Sequence, residues 1–179
     1  MTVSQFAPAL ELLVATVFPA LVIVAALRDT TTMTIPNWLC AAGALAFLPV
    51  ALASGMTLAT TGIGVAVGFA VLVAGIGMFA AQWIGGGDAK LLAVCSMWLG
   101  WQQLLPFALW TAIAGGGLAV FLLWARKIAV HIPSQRPDWV QTLLKPGGDV
   151  PYGIAIALGA LVTFPDSPVM TTLQNAIRI

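Results

Sequence analysis

Long apolar runs separated by short polar clusters are the feature that most limits what this chain can fold into. Of its 179 residues, 60% are hydrophobic and only 7% are charged, whereas a soluble domain has about 25% charged residues. A water-soluble core cannot bury so many apolar side chains, while a membrane-spanning helix requires about 20 consecutive apolar residues. The sequence therefore predicts an all-α, polytopic membrane protein with a single domain over residues 1–179.

Six of these runs are interpreted as transmembrane helices. They comprise residues 7–27, 37–54, 60–83, 89–101, 104–125 and 152–164. The fourth and sixth runs are short for a span, since the hydrocarbon core of a bilayer is about 30 Å thick. The one long polar segment, residues 126–150, is predicted to be a loop before the last span.

Basic residues predict the orientation of the six spans, because cytoplasmic loops carry more Lys and Arg than outer loops. One side of the predicted bundle carries Arg28, Lys90, Arg126, Lys127, Arg136 and Lys145, and the other side carries Arg178. This asymmetry places the first group in the cytoplasm. Both chain termini are then expected to face outward.

The remaining composition excludes two other classes of site. The net charge is only +1, whereas a nucleic-acid-binding surface carries a dense basic patch. Cys40 and Cys95 lie inside apolar runs with no CxxC or Cys/His spacing, so neither a zinc site nor a disulfide framework is indicated. We expect both cysteines to be small buried side chains, and we predict no metal and no cofactor.

Three aspartates, Asp29, Asp88 and Asp149, lie at the predicted cytoplasmic boundary. Carboxylates placed against the ends of spans are costly and often mark function. Two carboxyl groups about 3 Å apart cannot both ionise, so they share a proton. One of them then polarises a carbonyl group while the other activates water. Two converging aspartates would therefore allow aspartic protease chemistry.

Three glycines, Gly85, Gly86 and Gly87, come directly before Asp88. Glycine permits an extended backbone, so a stretched peptide substrate would be able to lie beside the Asp88 carboxylate. The alternative is that the glycines form a turn and Asp88 is the N-cap of the next helix. The spacing alone leaves both interpretations open.

Three segments resemble the signatures of prepilin leader peptidases, the GxGD membrane aspartic peptidases that mature type IV pilin and pseudopilin precursors. In the first, Asp29 is followed by six residues and then by Pro36 and Asn37. The second is the sequence GGGDAK that ends at Lys90, and the third is PYGIAIALG at residues 151–159. The GxGDxK element is the most specific of the three.

The resemblance implies an enzyme that removes the short basic leader from a pilin-like precursor, at the cytoplasmic face of the inner membrane and without a cofactor. Asp29 and Asp88 carry over as the catalytic pair. The residues implied to form the active-site loop or to bind substrate are Gly85, Gly86, Gly87, Lys90, Pro36, Asn37, Pro151, Tyr152 and Gly153. The family pattern assigns Asp149 no catalytic role, so we expect a helix cap or a loop residue there, with substrate binding as the alternative. For Lys90 we favour anchoring of its helix at the interface over a direct effect on Asp88.

Larger members of that family carry an extra cytoplasmic domain with CxxC motifs between the first two spans, and they also methylate the new N-terminus. Here only the short Arg28 to Ile35 segment lies between those spans. The chain therefore resembles the compact form of tight-adherence (Flp) pilus systems, which implies peptidase activity without methyl transfer.

Two other functions fit a small membrane protein with carboxylates. A proton-coupled transporter would also use membrane carboxylates and glycine-broken helices, but its acids are expected near the middle of the bilayer. The predicted position of the aspartates at span ends favours the peptidase. A non-enzymatic scaffold would make both Asp29 and Asp88 dispensable.

Overall fold

The computed structural model describes residues 7–129 and 137–177, and within these ranges the chain folds into helices with no strand. The helices are α1 (Ala7–Thr32), α2 (Asn37–Ala53), α3 (Leu58–Ala80), α4 (Gly86–Leu99), α5 (Leu104–Ala129), α6 (Asp138–Leu143), α7 (Tyr152–Thr163) and α8 (Pro168–Ile177). Short 3₁₀ turns follow α4 and α7. The predicted all-α class is confirmed for the described residues.

Four helical segments are long and apolar enough to cross a membrane. They are Ala15–Thr32, Leu58–Ala80, Trp101–Ala129 and Tyr152–Asn175. The last of these joins α7, a 3₁₀ turn and α8. Helix α2 is apolar but has 17 residues, and α4 has 14, so at 1.5 Å per residue α4 is only about 21 Å long.

Helix α1 continues past the predicted end at residue 27, and three consecutive threonines in its last turn bond to its own backbone. The hydroxyls of Thr30, Thr31 and Thr32 donate to carbonyl oxygens four residues earlier, at 2.7, 2.8 and 2.8 Å. Such back-bonding satisfies the threonine hydroxyls inside a helix. Asp29 therefore lies in the last turn of α1, which ends at Thr32, rather than in the loop that follows it.

Two further helices lie where the sequence predicted none. The short α6 falls inside the polar loop, and α8 follows the predicted last span. Val169 and Leu173 of α8 are one turn apart and both are buried, so α8 packs one face against the bundle. Arg136 and Arg178, which contributed to the charge asymmetry, lie outside the described residues.

The helices pack around an aromatic cluster in the interior. Helix α3 packs along α4, α5 along α7, and α1 against α7. The Phe18 ring stacks on Trp98 with 5.1 Å between centroids and lies 4.7 Å from the Phe164 ring. The indole nitrogen of Trp98 donates to the carbonyl oxygen of Gly43 at 3.0 Å. This buried hydrogen bond joins α4 to α2.

Glycines bring two of these helix pairs into backbone contact. A Cβ at Gly159 of α7 would lie 2.9 Å from the Thr111 nitrogen and 3.0 Å from the Phe107 carbonyl oxygen of α5. A Cβ at Gly75 of α3 would lie 3.0 Å from the Cβ of Ala89 in α4. Small residues at such crossings let membrane helices approach closely. The Thr111 side-chain oxygen also lies opposite Gly159, but the two backbone atoms cannot move aside without moving α5.

We expect Gly159→Ala to destabilise the protein by roughly 1–3 kcal/mol, the usual cost of overpacking. Thermal unfolding of the purified protein in detergent measures this. Gly117→Ala in α5 is the matched control, since a Cβ there meets nothing within 4 Å. Equal unfolding temperatures for the two variants would contradict the close α5–α7 contact.

Candidate active site

Asp29 is a buried carboxylate held by the start of another helix. Its side chain lies in the last turn of α1 and the residue is only 7% exposed. Its Oδ2 accepts a hydrogen bond of 2.7 Å from the backbone N–H of Gly153, the second residue of α7. N–H groups at a helix N-terminus lack partners within the helix and favour an anion. The start of α7 therefore supplies the donor that the buried carboxylate requires.

Only glycine fits at position 153. A Cβ there would lie 2.8 Å from the Cβ of Asp29 and 2.9 Å from its Oδ2. Pro151, two positions earlier, is buried and comes directly before the helix. Tyr152 is 44% exposed and lines the cavity described below. The third signature segment thus contributes a backbone donor and a cavity wall.

Asp88 is the third residue of α4, and its carboxylate turns back to cap its own helix. Its Oδ2 accepts from the backbone N–H of Gly85 at 3.2 Å. This bond is the carboxylate half of a capping box. Gly85, with φ −69° and ψ 149°, is the N-cap, while Gly86 and Gly87 already belong to α4. The N-cap interpretation of Asp88 is therefore wrong by three positions, and among the three glycines only Gly85 has an extended backbone.

Asp29 and Asp88 line the same cavity, which has a volume of about 900 Å³. The cavity is bounded by the C-terminal ends of α1 and α3, the N-terminal ends of α4 and α7, and the loop before α7. Two acids that are 59 positions apart in the chain (88 minus 29) thus line one cavity at one end of the bundle.

Two residues that line this cavity have left-handed backbone conformations. Met33, with φ 52°, follows α1, and Gln82, with φ 61°, follows α3. They are the only non-glycine residues with positive φ in the parts of the chain that the structure describes. This conformation costs a non-glycine residue about 1–2 kcal/mol, and such strain clusters at functional sites. Sequence reasoning missed both positions because no glycine marks them.

The first two signature segments are in direct contact. The Lys90 ammonium donates to the Asn37 side-chain oxygen at 2.7 Å, which ties α4 to the start of α2. A Cβ at Gly87 would lie 3.1 Å from the Cβ of Ile35, and Pro36 is the residue before α2. Lys90 is exposed, and its ammonium bonds to Asn37; its anchoring role at the membrane interface stays a prediction.

Asp149 is an exposed loop residue that lines the same cavity, in agreement with the loop interpretation. Its backbone oxygen accepts a hydrogen bond of 2.7 Å from Arg126. Arg126 is only 7% exposed and is the polar residue near the site that sequence reasoning missed. The sequence marked it only as one of several basic residues after an apolar run.

Among the described residues, no group of three or more His, Cys, Asp or Glu side chains is placed to hold a metal ion. Cys40 and Cys95 are both buried free thiols, as their apolar surroundings in the sequence predicted. The acidic residues that line one cavity are Asp29, Asp88 and Asp149.

A family model described as the type IV leader peptidase family matches residues 16–120. The chain belongs to this family. The match includes Asp29 and Asp88, and it ends before Arg126, Asp149 and Gly153. No curated protein and no solved structure matches the chain. Family membership supports a leader-peptidase-like protease, in agreement with the resemblance that the sequence motifs carry.

We expect Gly153→Ala to lower the peptidase activity by roughly 100-fold, the cost of displacing a reacting group by about 1 Å. The added methyl group must push away either the Asp29 carboxylate or the start of α7. Cleavage of a leader-bearing precursor, compared at equal amounts of folded protein, measures the effect. Gly117→Ala is the control and is expected to retain activity. A fully active Gly153→Ala variant would contradict the contact between Gly153 and Asp29.

Proposed function

We propose that this protein is a membrane-embedded aspartic endopeptidase with Asp29 and Asp88 as its catalytic pair. Its substrates are type IV pilin-like precursors of the Flp or pseudopilin kind, from which it removes the short basic leader. The observation that carries this proposal is that Asp29 and Asp88, from different helices, line one cavity. Membership in the leader peptidase family supplies the reaction class.

The backbone contacts of the two carboxylates suit the chemistry of a shared proton. Each Oδ2 accepts one backbone N–H, from Gly153 for Asp29 and from Gly85 for Asp88. Because an N–H group only donates, it holds that oxygen as an acceptor and leaves the second oxygen of each carboxyl group for the reaction. One proton shared by the pair then serves as acid, while the ionised carboxylate serves as base.

The reaction consumes one water molecule for each peptide bond. The ionised carboxylate removes a proton from water, and the resulting hydroxide adds to the scissile carbonyl carbon. The protonated carboxyl group donates to the carbonyl oxygen as negative charge develops there. When the tetrahedral intermediate collapses, the C–N bond breaks and the leaving amine takes a proton from the pair.

The position of the cavity fits a substrate that is part leader and part membrane helix. A precursor whose leader lies in the cytoplasm and whose apolar helix lies in the bilayer presents the junction between them at the membrane boundary. The cavity lies at one end of the bundle, where α1 ends and α4 begins. Water also reaches this depth through such a cavity, as hydrolysis requires.

Six spans are proposed, with α4 as a short central one. Helix α4 packs against α2, α3 and α7, and half of its residues are buried, among them Leu91, Cys95 and Trp98. A helix covered by protein needs less apolar length than one exposed to lipid. With six spans both termini face outward, and the cavity opens to the cytoplasm at the inner membrane.

The compact form is also proposed, since the connection between α1 and α2 comprises only residues 33–36. This connection has no room for the cytoplasmic domain of the larger family members, so the proposed activity is peptidase alone.

The transporter alternative is disfavoured because Asp29 and Asp88 lie in terminal turns of their helices rather than at mid-helix.

Co-expression with a pilin-like precursor tests the catalytic pair. Asn has the shape of Asp but cannot exchange the shared proton, so we expect Asp29→Asn and Asp88→Asn each to lower cleavage by a factor of about 10² or more. The size of the precursor on a gel measures this. Asp166→Asn, outside the cavity, is the matched control and is expected to cleave normally.

Two outcomes would contradict the assignment. Normal trimming by either Asp29→Asn or Asp88→Asn would remove that residue from the catalytic pair. An inactive Asp149→Asn beside active Asp29→Asn and Asp88→Asn variants would place the chemistry on the loop aspartate instead.

Cysteine labelling tests the orientation. Lys145 is exposed in the loop before α7 and Gln102 is exposed at the opposite end of the bundle, between α4 and α5. We expect a membrane-impermeant maleimide to label Gln102→Cys in spheroplasts and Lys145→Cys only in inverted vesicles. The wild type, with both cysteines buried, is the control for background. The reverse pattern would place the cavity outside the cytoplasm.

A further inference from the structure

Arg126 is a buried cation whose hydrogen bonds go to backbone rather than to a carboxylate. It lies in the last turn of α5 and is 7% exposed. Its Nε donates to the Leu143 carbonyl oxygen at 3.0 Å, and its Nη2 donates to the Asp149 carbonyl oxygen at 2.7 Å. Burial of a charge is costly unless it is satisfied, and the rigid guanidinium fork satisfies two acceptors at once.

The two acceptors are the two ends of one loop segment, residues 143–149. Leu143 is the last residue of α6, so one bond of Arg126 satisfies a carbonyl at a helix C-terminus. Inside the segment, the Gly148 N–H donates to the Lys145 carbonyl oxygen at 3.0 Å. A Cβ at Gly148 would lie 3.5 Å from Nη2 of Arg126. Arg126 therefore joins the end of α5 to a folded turn.

This loop segment leads directly to Asp29. Asp149 and Val150 line the cavity, and the buried Pro151 comes next, with φ −74°. Gly153, whose N–H donates to Asp29, is four positions after Asp149. Because the proline ring holds one backbone dihedral of this short connection within a narrow range, the connection has less freedom to absorb a shift at Asp149 before it reaches Gly153.

We propose that Arg126 is a positioning residue of this active site. Its guanidinium holds residues 143–149 in place, and the loop in turn holds the Gly153 N–H on the Asp29 carboxylate. This inference rests on the proposed role of Asp29. It adds a residue that lies outside the range matched by the family model and outside the three signature segments.

The kinetic test compares Arg126→Gln and Arg126→Lys in the full-length protein on a pilin-like precursor. Without the fork the loop moves and Asp29 loses its donor, so we expect Arg126→Gln to lower kcat roughly 10- to 100-fold, with a smaller change in KM. Lys retains the charge but not the fork, so Arg126→Lys is expected to recover part of kcat. Lys145→Gln is the matched control, since it removes one cation from the loop that Arg126 contacts.

A second measurement does not depend on cleavage. Hydrogen exchange followed by mass spectrometry reports how firmly residues 145–153 are held. We expect this segment to exchange faster in Arg126→Gln than in the wild type or in Lys145→Gln, while α1–α4 exchange at the wild-type rate. If the wild type cleaves no precursor, the proposed function fails, and the exchange data still decide whether Arg126 holds the loop.

Three results would overturn the proposal. The first is wild-type kcat in Arg126→Gln. The second is unchanged exchange of residues 145–153 in that variant. The third is faster exchange throughout the bundle with no recovery of kcat in Arg126→Lys, which would make Arg126 a general structural residue rather than a positioning one.

Discussion

The hydrogen bond from the Gly153 N–H to the Asp29 carboxylate is the contact on which the rest of the site depends. A carboxylate that is 7% exposed needs a donor, and here the donor is the N-terminal backbone of α7 at 2.7 Å. Because the donor is a backbone group, α7 itself must come to Asp29. Its approach brings Tyr152 and the loop before it to the cavity, and α5 follows because it packs along α7.

Close packing between helices stabilises this bundle. Lipid tails are as apolar as leucine, so membrane helices associate through van der Waals contact and hydrogen bonds rather than through the hydrophobic effect. Gly75 brings α3 onto α4, and Gly159 brings α7 onto α5. The ends of α3 and α4 both line the cavity, so the contact at Gly75 holds two of its walls together, while Gly159 holds α7, which carries the donor to Asp29, against α5.

The cavity combines well-satisfied groups with strained ones. Both aspartates accept hydrogen bonds from backbone N–H groups. Arg126 donates to two carbonyl oxygens of the loop that forms one wall. Met33 and Gln82 instead adopt positive φ where α1 and α3 end at the cavity. Glycine would adopt these conformations without cost. The strained turns set the paths by which the chain leaves Asp29 and approaches Asp88, so they contribute to the shape of the site.

What the sequence determined by itself was the class of the protein, the family and the residues to inspect, because these depend on local features. Run length and scarcity of charge predicted apolar helices, and the GGGDAK and PN segments pointed to Asp29 and Asp88. The tertiary structure decided what depends on contacts between distant segments. It placed Asp29 in the last turn of α1, where the carboxylate accepts a hydrogen bond from the N-terminus of α7. It also made Gly85 the N-cap of α4 and added α8. The buried Arg126 joins α5 to the loop before α7. The contact between Asp29 and α7 and the tie made by Arg126 have no local signal, since a backbone donor from another helix or a guanidinium between two carbonyls is specified only when the helices meet.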